Sequence, residues 1–442
     1  MLRFLSCGES HGPALVAVLD GMPAGLPIDI DAVNEELSRR QQGYGRGNRQ
    51  KIEKDTAEFL GGLRHGITTG APLAIMVRNR DFENWQYVMS ARRLEGISAE
   101  AAEQLEKKKI ERFRPGHADL AGTIKFRQKD IRDVLERASA RETASRVAVG
   151  AVCKQLLEHF GVAIASHVLQ VGEIKAFELS PNMSIKEISA IACQSELFCL
   201  DATAAEPMKE LIKTAWQDGD SLGGVIEVIA DGLPVGLGSY TQWDRRLDGQ
   251  LAQAVMSIQA MKAVEIGDGF NNAGRPGSQV HDAIFPSDAS HGPGEGNGVY
   301  PDYLPFHRLT NHAGGVEGGM SNGSRLCLRI YMKPIPTMRR GLESVSFPEF
   351  QADRAHYERS DVCAIAAASV VCKAMVSFVL ANAFLDKFGG DSLADLDAAF
   401  GEYKAYCRSA GAMQTSRHDT PVADNVHADR EPEGNEDAVG EF

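Results

Sequence analysis

Apolar positions recur along this chain in short alternating runs and in longer helical stripes, interleaved without regular order. Residues 2–20 read as a short strand, a break at Gly8-Glu9-Ser10-His11-Gly12, and a resumed strand in "ALVAVLD". Ile30, Val33 and Leu37 share one face of a helix predicted over 29–40, and 70–79 ("GAPLAIMVRN") reads as a strand. Residues 98–110 predict a polar, exposed helix. Ser139-x-x-Glu142 has the form of a capping box, and Ala144, Val147, Ala151 and Leu156 continue it as an apolar stripe, predicting a helix over 139–159. Residues 184–216 read as mixed and surface-like, with a helix near 206–216. The stretch 223–238 reads as two strands about a turn, and 247–270 as a helix followed by a strand or loop. Glycine-rich loops at 291–298 and 314–323 precede a strand near 324–332, and a long helix follows Asp361. Irregular mixing of this kind favours an α+β fold with antiparallel sheets over a doubly wound parallel sheet.

One segment imitates a membrane span. Residues 363–385, "CAIAAASVVCKAMVSFVLANAFL", are almost wholly apolar. Lys373 stands at the centre, where it would cost ~2.5–3.5 kcal/mol on insertion scales. The segment therefore predicts a buried core helix. The 442 residues set a soft prior of roughly three domains at ~150 residues each, although larger single domains occur. With 43% hydrophobic and 24% charged residues, the composition is that of a soluble chain with material for a sizeable core. A net charge of −13 argues against sequence-independent nucleic-acid binding. The charge is uneven: eight acids and two arginines lie between Ser409 and Phe442, giving −6 there and leaving −7 for the rest. That end is poor in large apolar residues and is expected to be a peripheral, flexible acidic tail (406–442) behind a single catalytic domain (1–405). The eight cysteines form no Cys-x-x-Cys pair, so neither a zinc site nor a redox dithiol is suggested. The N-terminal residues lack a signal-peptide pattern, and a reducing, cytoplasmic setting is expected.

Five stretches could carry chemistry. "RRQQGYGRGNRQK" (39–51) holds four arginines and a lysine without an acid. It is either a solvated face or a grip for a small polyanion, the use for which arginine is preferred. "RFRPGHADLAG" (112–122) places His117 beside glycine with Arg114 and Asp119 close by, as "CGESHGPAL" (7–15) places His11 between glycines. Each is either a polar turn or a histidine brought against a ligand. "ERASARETASR" (136–146) puts arginines around a helix start, an ordinary cap or an anion site. "NHAGGVEGGMSNG" (311–323) is neither a Walker loop nor a dinucleotide fingerprint, but bare backbone of this kind can lie against a flat ring or a phosphate. "ERSDVC" (358–363) sets Arg359 and Asp361 at the start of the long helix. Taken together they describe one site with arginines for anions, two histidines for proton transfer and an aspartate.

At these residues the chain resembles the chorismate synthase family, over about residues 1–400. "GESHGPALVAVLDGMPAG", "ERASARETASRVAVGAV" and "RSDVCAIAAASVVCKAMV" match its three signature regions in order, and "RPGHADLAG", "VEIGDGF", "GGVEGGMSNG" and "KPIPT" look like further family motifs. The resemblance implies a β-α-β sandwich with central helices between antiparallel sheets, assembled as a homotetramer. It implies the 1,4-anti elimination of phosphate from 5-enolpyruvylshikimate 3-phosphate to give chorismate, using reduced FMN with no net redox change. Carried over residue by residue, His11 would protonate the departing phosphate, and His117 would stabilise the reduced flavin. Asp361 would help the flavin accept the C6 proton. Arg40, Arg46, Arg49, Arg114, Arg141 and Arg359 would bind the substrate anions. The flavin would be lined by Arg137, Ala138, Ser139, Gln259, Ala260, Gly318, Lys333, Pro334, Ile335, Pro336, Thr337 and Arg359. Arg40 and Arg46 are also the family positions associated with NADPH, and an external flavin reductase is the alternative source of electrons.

Two letters depart from the family pattern: Val362 stands where proline is usual after the aspartate, and Lys373 where glutamate is expected. Two rival readings stay open at this level. An FMN reductase would explain the glycine loops and Arg40/Arg46, but not two histidines amid six arginines. A non-catalytic anion-binding module would explain the arginines alone.

Overall fold

A computed structural model describes residues 1–47, 54–177, 180, 183–287, 300–358 and 360–417. Arg49, Arg359, the loop at 291–298 and residues 418–442 lie outside that set.

The alternating runs near the N-terminus form β1 (Arg3–Cys7), β2 (Ala14–Asp20), β3 (Ala57–Gly61) and β4 (Leu73–Arg78). They pair antiparallel in the order β1-β2-β4-β3. A second sheet is built from β5 (Ala163–Val171), β6 (Ile174–Lys175), β7 (Gly224–Asp231), β8 (Met261–Ile266) and β9 (Leu326–Met332), in the order β8-β9-β7-β5-β6, again antiparallel. Leu15, Leu19, Leu73 and Ile75 turn inward from the first sheet, and Ile226, Val228, Leu328 and Ile330 from the second.

The filling between the sheets is helical. α1 (Ile30–Gln41), α5 (Thr143–His159) and α9 (Ile365–Phe388) run through the centre, with α5 against β2 and β4 and α9 against β5 and β7. This is the β-α-β sandwich expected. α9 is the apolar segment 363–385, and it is buried on nearly every face, so its hydrophobicity is spent on the protein core. Gly150 on α5 lets the two central helices approach closely: a Cβ there would stand 2.4 Å from the Ala374 Cβ. Lys373 is only 4% exposed, and its Nζ meets Glu36 Oε1 of α1 at 2.7 Å, with Lys154 of α5 3.9 Å from the same oxygen. One carboxylate thus ties three helices, and it satisfies a lysine whose burial alone would be costly.

Among the described residues, the other α-helices longer than four residues are α2 (Ala99–Lys107), α3 (Asp119–Phe126), α4 (Arg132–Ala138), α6 (Ile185–Gln194), α7 (Ala202–Asp218), α8 (Leu247–Met256) and α10 (Leu393–Arg417). The helix α10 carries regular structure twelve residues beyond 405, into the stretch read as tail.

Three local expectations change. Residues 184–216 contain two helices, because Ser184 and Glu187 form a reciprocal capping box and Asp201 caps α7. Of 223–238 only 224–231 is a strand, since Gly232, Gly236 and Gly238 all take positive φ and end the extension. Ser139 accepts from the Arg141 amide, but Glu142 turns away to Arg146 and Gln259, so no reciprocal box forms. A 3-10 turn over Ala140–Glu142 precedes α5.

Candidate functional site

The Gly8–Gly12 turn between β1 and β2, the ends of α1 and α4, the Arg114–Ala118 turn before α3, the segment 332–337, Glu358 and the segment 360–368 border one cavity of about 700 Å³. Its size lies within the range of small-molecule and cofactor sites. The turn that carries His11 is built for close approach. Gly8 sits at φ +98, and a Cβ there would lie 2.2 Å from the Ala14 carbonyl oxygen. Asn79 Nδ2 pins the turn by donating to the Glu9 and Gly12 carbonyls at 3.1 and 2.7 Å.

His11 and His117 both line the cavity, and each is gripped by a carboxylate that an arginine holds. His11 Nδ1 lies 3.0 and 2.9 Å from the two oxygens of Glu136, and Arg132 meets Glu136 Oε1 at 2.8 Å. His117 Nδ1 lies 2.5 Å from Asp119 Oδ1, while Arg114 closes a fork on Asp119 at 2.7 and 3.0 Å. Burial would raise both carboxyls. Hydrogen bonds from His11 to Glu136, and from His117 and Arg114 to Asp119, outweigh it; Glu136 is lowered, and Asp119 is held at about 2. Both carboxylates are therefore fixed negative charges at neutral pH.

Arg40 and Arg141 share Asp55, at 2.8 Å from Arg40 and 2.6 Å from Arg141, and Arg141 Nε donates to Asn79 Oδ1 at 2.9 Å. Burial lowers Arg40 to about 10, against the pull of Asp55, so it stays cationic at neutral pH. Asp361 also lines the cavity. Arg46 meets it at 2.8 Å, and the Gly47 amide donates to its Oδ1 at 2.6 Å. Val362 contributes what a proline could not: its N–H donates to the Gly45 carbonyl at 2.9 Å, tying the start of the long helix to the basic segment. The Nε atoms of Arg40 and Arg46 and Oε1 of Gln259 are buried without a hydrogen-bond partner among the described residues. Such groups are costly unless a ligand takes them up.

Of the other sequence-predicted residues, Arg114, Ala138, Ser139, Arg141, Ala260, Lys333, Ile335, Pro336 and Thr337 also line the cavity. Arg137, Gly318 and Pro334 are not among the lining residues. The Arg137 guanidinium donates instead to the Ser6 and Gly8 carbonyls at 2.8 and 3.0 Å and braces the His11 turn from behind. Gly318 sits in the tight ribbon Val316–Ser321. Arg49 and Arg359 fall outside the described residues.

Sequence reasoning passed over Trp85, Asp81, Glu136 and Glu358. The Trp85 ring stacks on His11 at 3.8 Å with 26° between planes, and its indole N–H donates to Asp81 at 3.0 Å. "DFENW" offers no motif, although a tryptophan among acids in a loop is a usable hint. Glu358 is raised by burial, but His356 and Arg132 outweigh this and hold it at about 2.

A family model described as chorismate synthase matches residues 2–385. The chain is 51% identical over 410 residues to a chorismate synthase of Geobacter sulfurreducens, covering 92% of this chain and all of that one. It is 50% identical over 405 residues to one from Brevibacillus brevis, covering 92% and 99%. This chain belongs to the chorismate synthase family. A crystal structure titled as chorismate synthase superposes with a TM-score of 0.70 at 41% identity, covering 92% of this chain and 98% of that one. The family fold is thus the fold described above.

Proposed function

We propose that this cavity carries out the family reaction: elimination of phosphate from C3 and a proton from C6 of 5-enolpyruvylshikimate 3-phosphate, giving chorismate. The observation that carries the reading is the convergence of His11, His117 and Asp361 with Arg40, Arg46, Arg114 and Arg141 on one enclosed space. The substrate bears two carboxylates and a phosphate, and the buried Nε groups of Arg40 and Arg46 supply donors without a partner among the described residues.

Phosphate departs as a highly charged anion, and a positioned proton with fixed cations lowers that barrier. His11 holds the proton for the leaving oxygen. Arg40 and Arg141 are locked on Asp55, so their charges need no reorganisation as the phosphate separates. Asp361, fixed by Arg46 and the Gly47 amide, assists removal of the C6 proton.

The remaining walls fit a flavin. Ile258, Ala260, Met332, Ile335 and Pro336 offer an apolar surface for a planar ring, and Gln259 Oε1 is an acceptor awaiting a ring N–H. Reduced FMN, when bound, supplies the electron-rich ring on which the elimination depends. His117 and Lys333 lie on that side, with Lys333 Nζ anchored on the Gly116 carbonyl at 2.8 Å. NADPH, contacting Arg40 and Arg46, or an external flavin reductase keeps the cofactor reduced in this reading. The protein works in the cytoplasm as a homotetramer, and the outward face of the first sheet, with Leu5, Val18 and Leu60 exposed, is its assembly surface.

Photoreduced FMN and the enolpyruvyl phosphate substrate, added under nitrogen, are expected to give phosphate and chorismate in equal amounts without stoichiometric loss of reductant. Net oxidation of the flavin would favour a reductase, and the absence of both products would end the reading.

A further inference from the structure

We infer that Glu136 is a positioning residue for His11, fixing the imidazole with Nδ1 toward the carboxylate and Nε2 toward the cavity. The inference rests on the reading of His11 as the proton donor to the leaving phosphate.

Glu136 holds the His11 turn at three points. Its carboxylate takes the ring through Nδ1, and Oε2 accepts the His11 backbone N–H at 2.9 Å. Its own carbonyl accepts the Ser10 amide at 3.0 Å. The ring therefore cannot rotate without breaking bonds that also shape the turn. Arg132, one helical turn earlier on α4, takes Oε1 at 2.8 Å and donates to the Lys108 carbonyl, so the carboxylate is itself fixed. Trp85 closes the ring's face. The Glu136 side chain is fully buried and does not line the cavity, so it touches neither substrate nor cofactor.

This arrangement has a chemical consequence. When Nε2 gives up its proton, the neutral ring left behind is the Nδ1–H form, which donates to Glu136 without moving. Replacing Glu136 by a neutral group removes the negative charge that faces Nδ1. Other charges around the His11–Trp85 pair are Arg132, Lys108, whose Nζ lies 3.7 Å from the indole centroid, and Asp81.

Trp85 supplies a readout, because a protonated imidazole stacked on indole quenches its fluorescence. Trp216 and Trp243 are exposed and lie outside the cavity, so Trp216→Phe/Trp243→Phe leaves Trp85 as sole reporter in an active full-length chain. In that background Glu136→Gln is expected to lower kcat about 10- to 100-fold with KM unchanged within twofold. The pH midpoint of quenching should move down by about one unit, and Glu136→Asp should recover part of both effects. A folded Glu136→Gln protein with kcat within threefold of the parent, or with reduced kcat but an unmoved midpoint, overturns the inference. Should Glu136→Gln fail to fold, Glu136→Asp decides: an unmoved midpoint there also overturns it. His11→Ala separates the two claims. Retained turnover would sink the proton-donor reading, and with it the role inferred for Glu136, whereas an unmoved midpoint with His11 essential sinks the positioning role alone.

Discussion

His11 and His117 meet the same cavity with the same three-part device, histidine to carboxylate to arginine, but the devices are assembled differently. Around His117 every part is local: Arg114, His117 and Asp119 fall within six residues, and the loop before α3 folds them together. Around His11 the carboxylate comes from 125 residues away and arrives on α4. The local device also reaches the ligand space directly, since Arg114 lines the cavity and donates to Thr337 at 3.2 Å. In the long-range device Arg132 stands behind Glu136, outside the lining. A cavity built this way has one histidine whose supporting arginine also lines the ligand space, and one whose supports stand outside the lining.

Removing each ring is the strongest way to test that division. His11→Ala is expected to lower kcat by 10²–10⁴-fold while FMN affinity stays within about twofold. His117→Ala should lower kcat as well, but it should also weaken FMN about tenfold, because Lys333 and Pro336, which pack at the adjacent Gly116, line the side of the cavity proposed for the flavin. Stopped-flow turnover and flavin titration on both variants check this. Equal flavin affinities in the two variants would erase the difference between the devices.

The same contrast explains what could be read from the chain. Residues 112–122 display the His117 site in one line, so Arg114, His117 and Asp119 were recognisable together. The strand alternation of 14–20 and the all-round apolar run of 363–385 were equally plain, because burial imposes a period that the sequence must keep. Glu136 was visible only as the first letter of a basic stretch, since nothing local says that α4 will deliver its carboxylate to a turn near the N-terminus. Lys373 shows the same limit: its place in the core was readable, but its partner Glu36 sits 337 residues earlier on another helix. The helix at 185–194 is different again, because its signal, the Ser184–Glu187 capping box, is local and stands in the sequence itself.

A smaller effect separates the arginines. Lysine cannot reproduce the fork that Arg114 makes on Asp119, nor reach Thr337 at the same time. Arg114→Lys is expected to raise substrate KM about tenfold as well as reduce kcat. Arg132→Lys should reduce kcat by a similar factor with KM unchanged, since Arg132 is not in the lining. Steady-state kinetics on the pair measures it; a raised KM in Arg132→Lys would show that α4 also shapes the ligand space.

The smallest expected effect concerns acid stability. Asp119 is fully buried, and its carboxyl is depressed from 3.8 to about 2, where hydrogen bonds from His117 and Arg114 outweigh burial. A depressed carboxyl binds its proton more readily in the unfolded chain, so its stabilisation is complete above the unfolded value and is lost as pH falls through the folded one. The shift corresponds to about 2 kcal/mol, present above pH ~4 and gone below pH ~2. Asp119→Asn should therefore lower stability at pH 7 by an amount of that order, and its urea midpoint should fall less steeply than the parent's between pH 4 and 2. Parallel slopes in that window would mean that the charge of Asp119 does not anchor the loop, and that the local device is held by Arg114 and Thr337 instead.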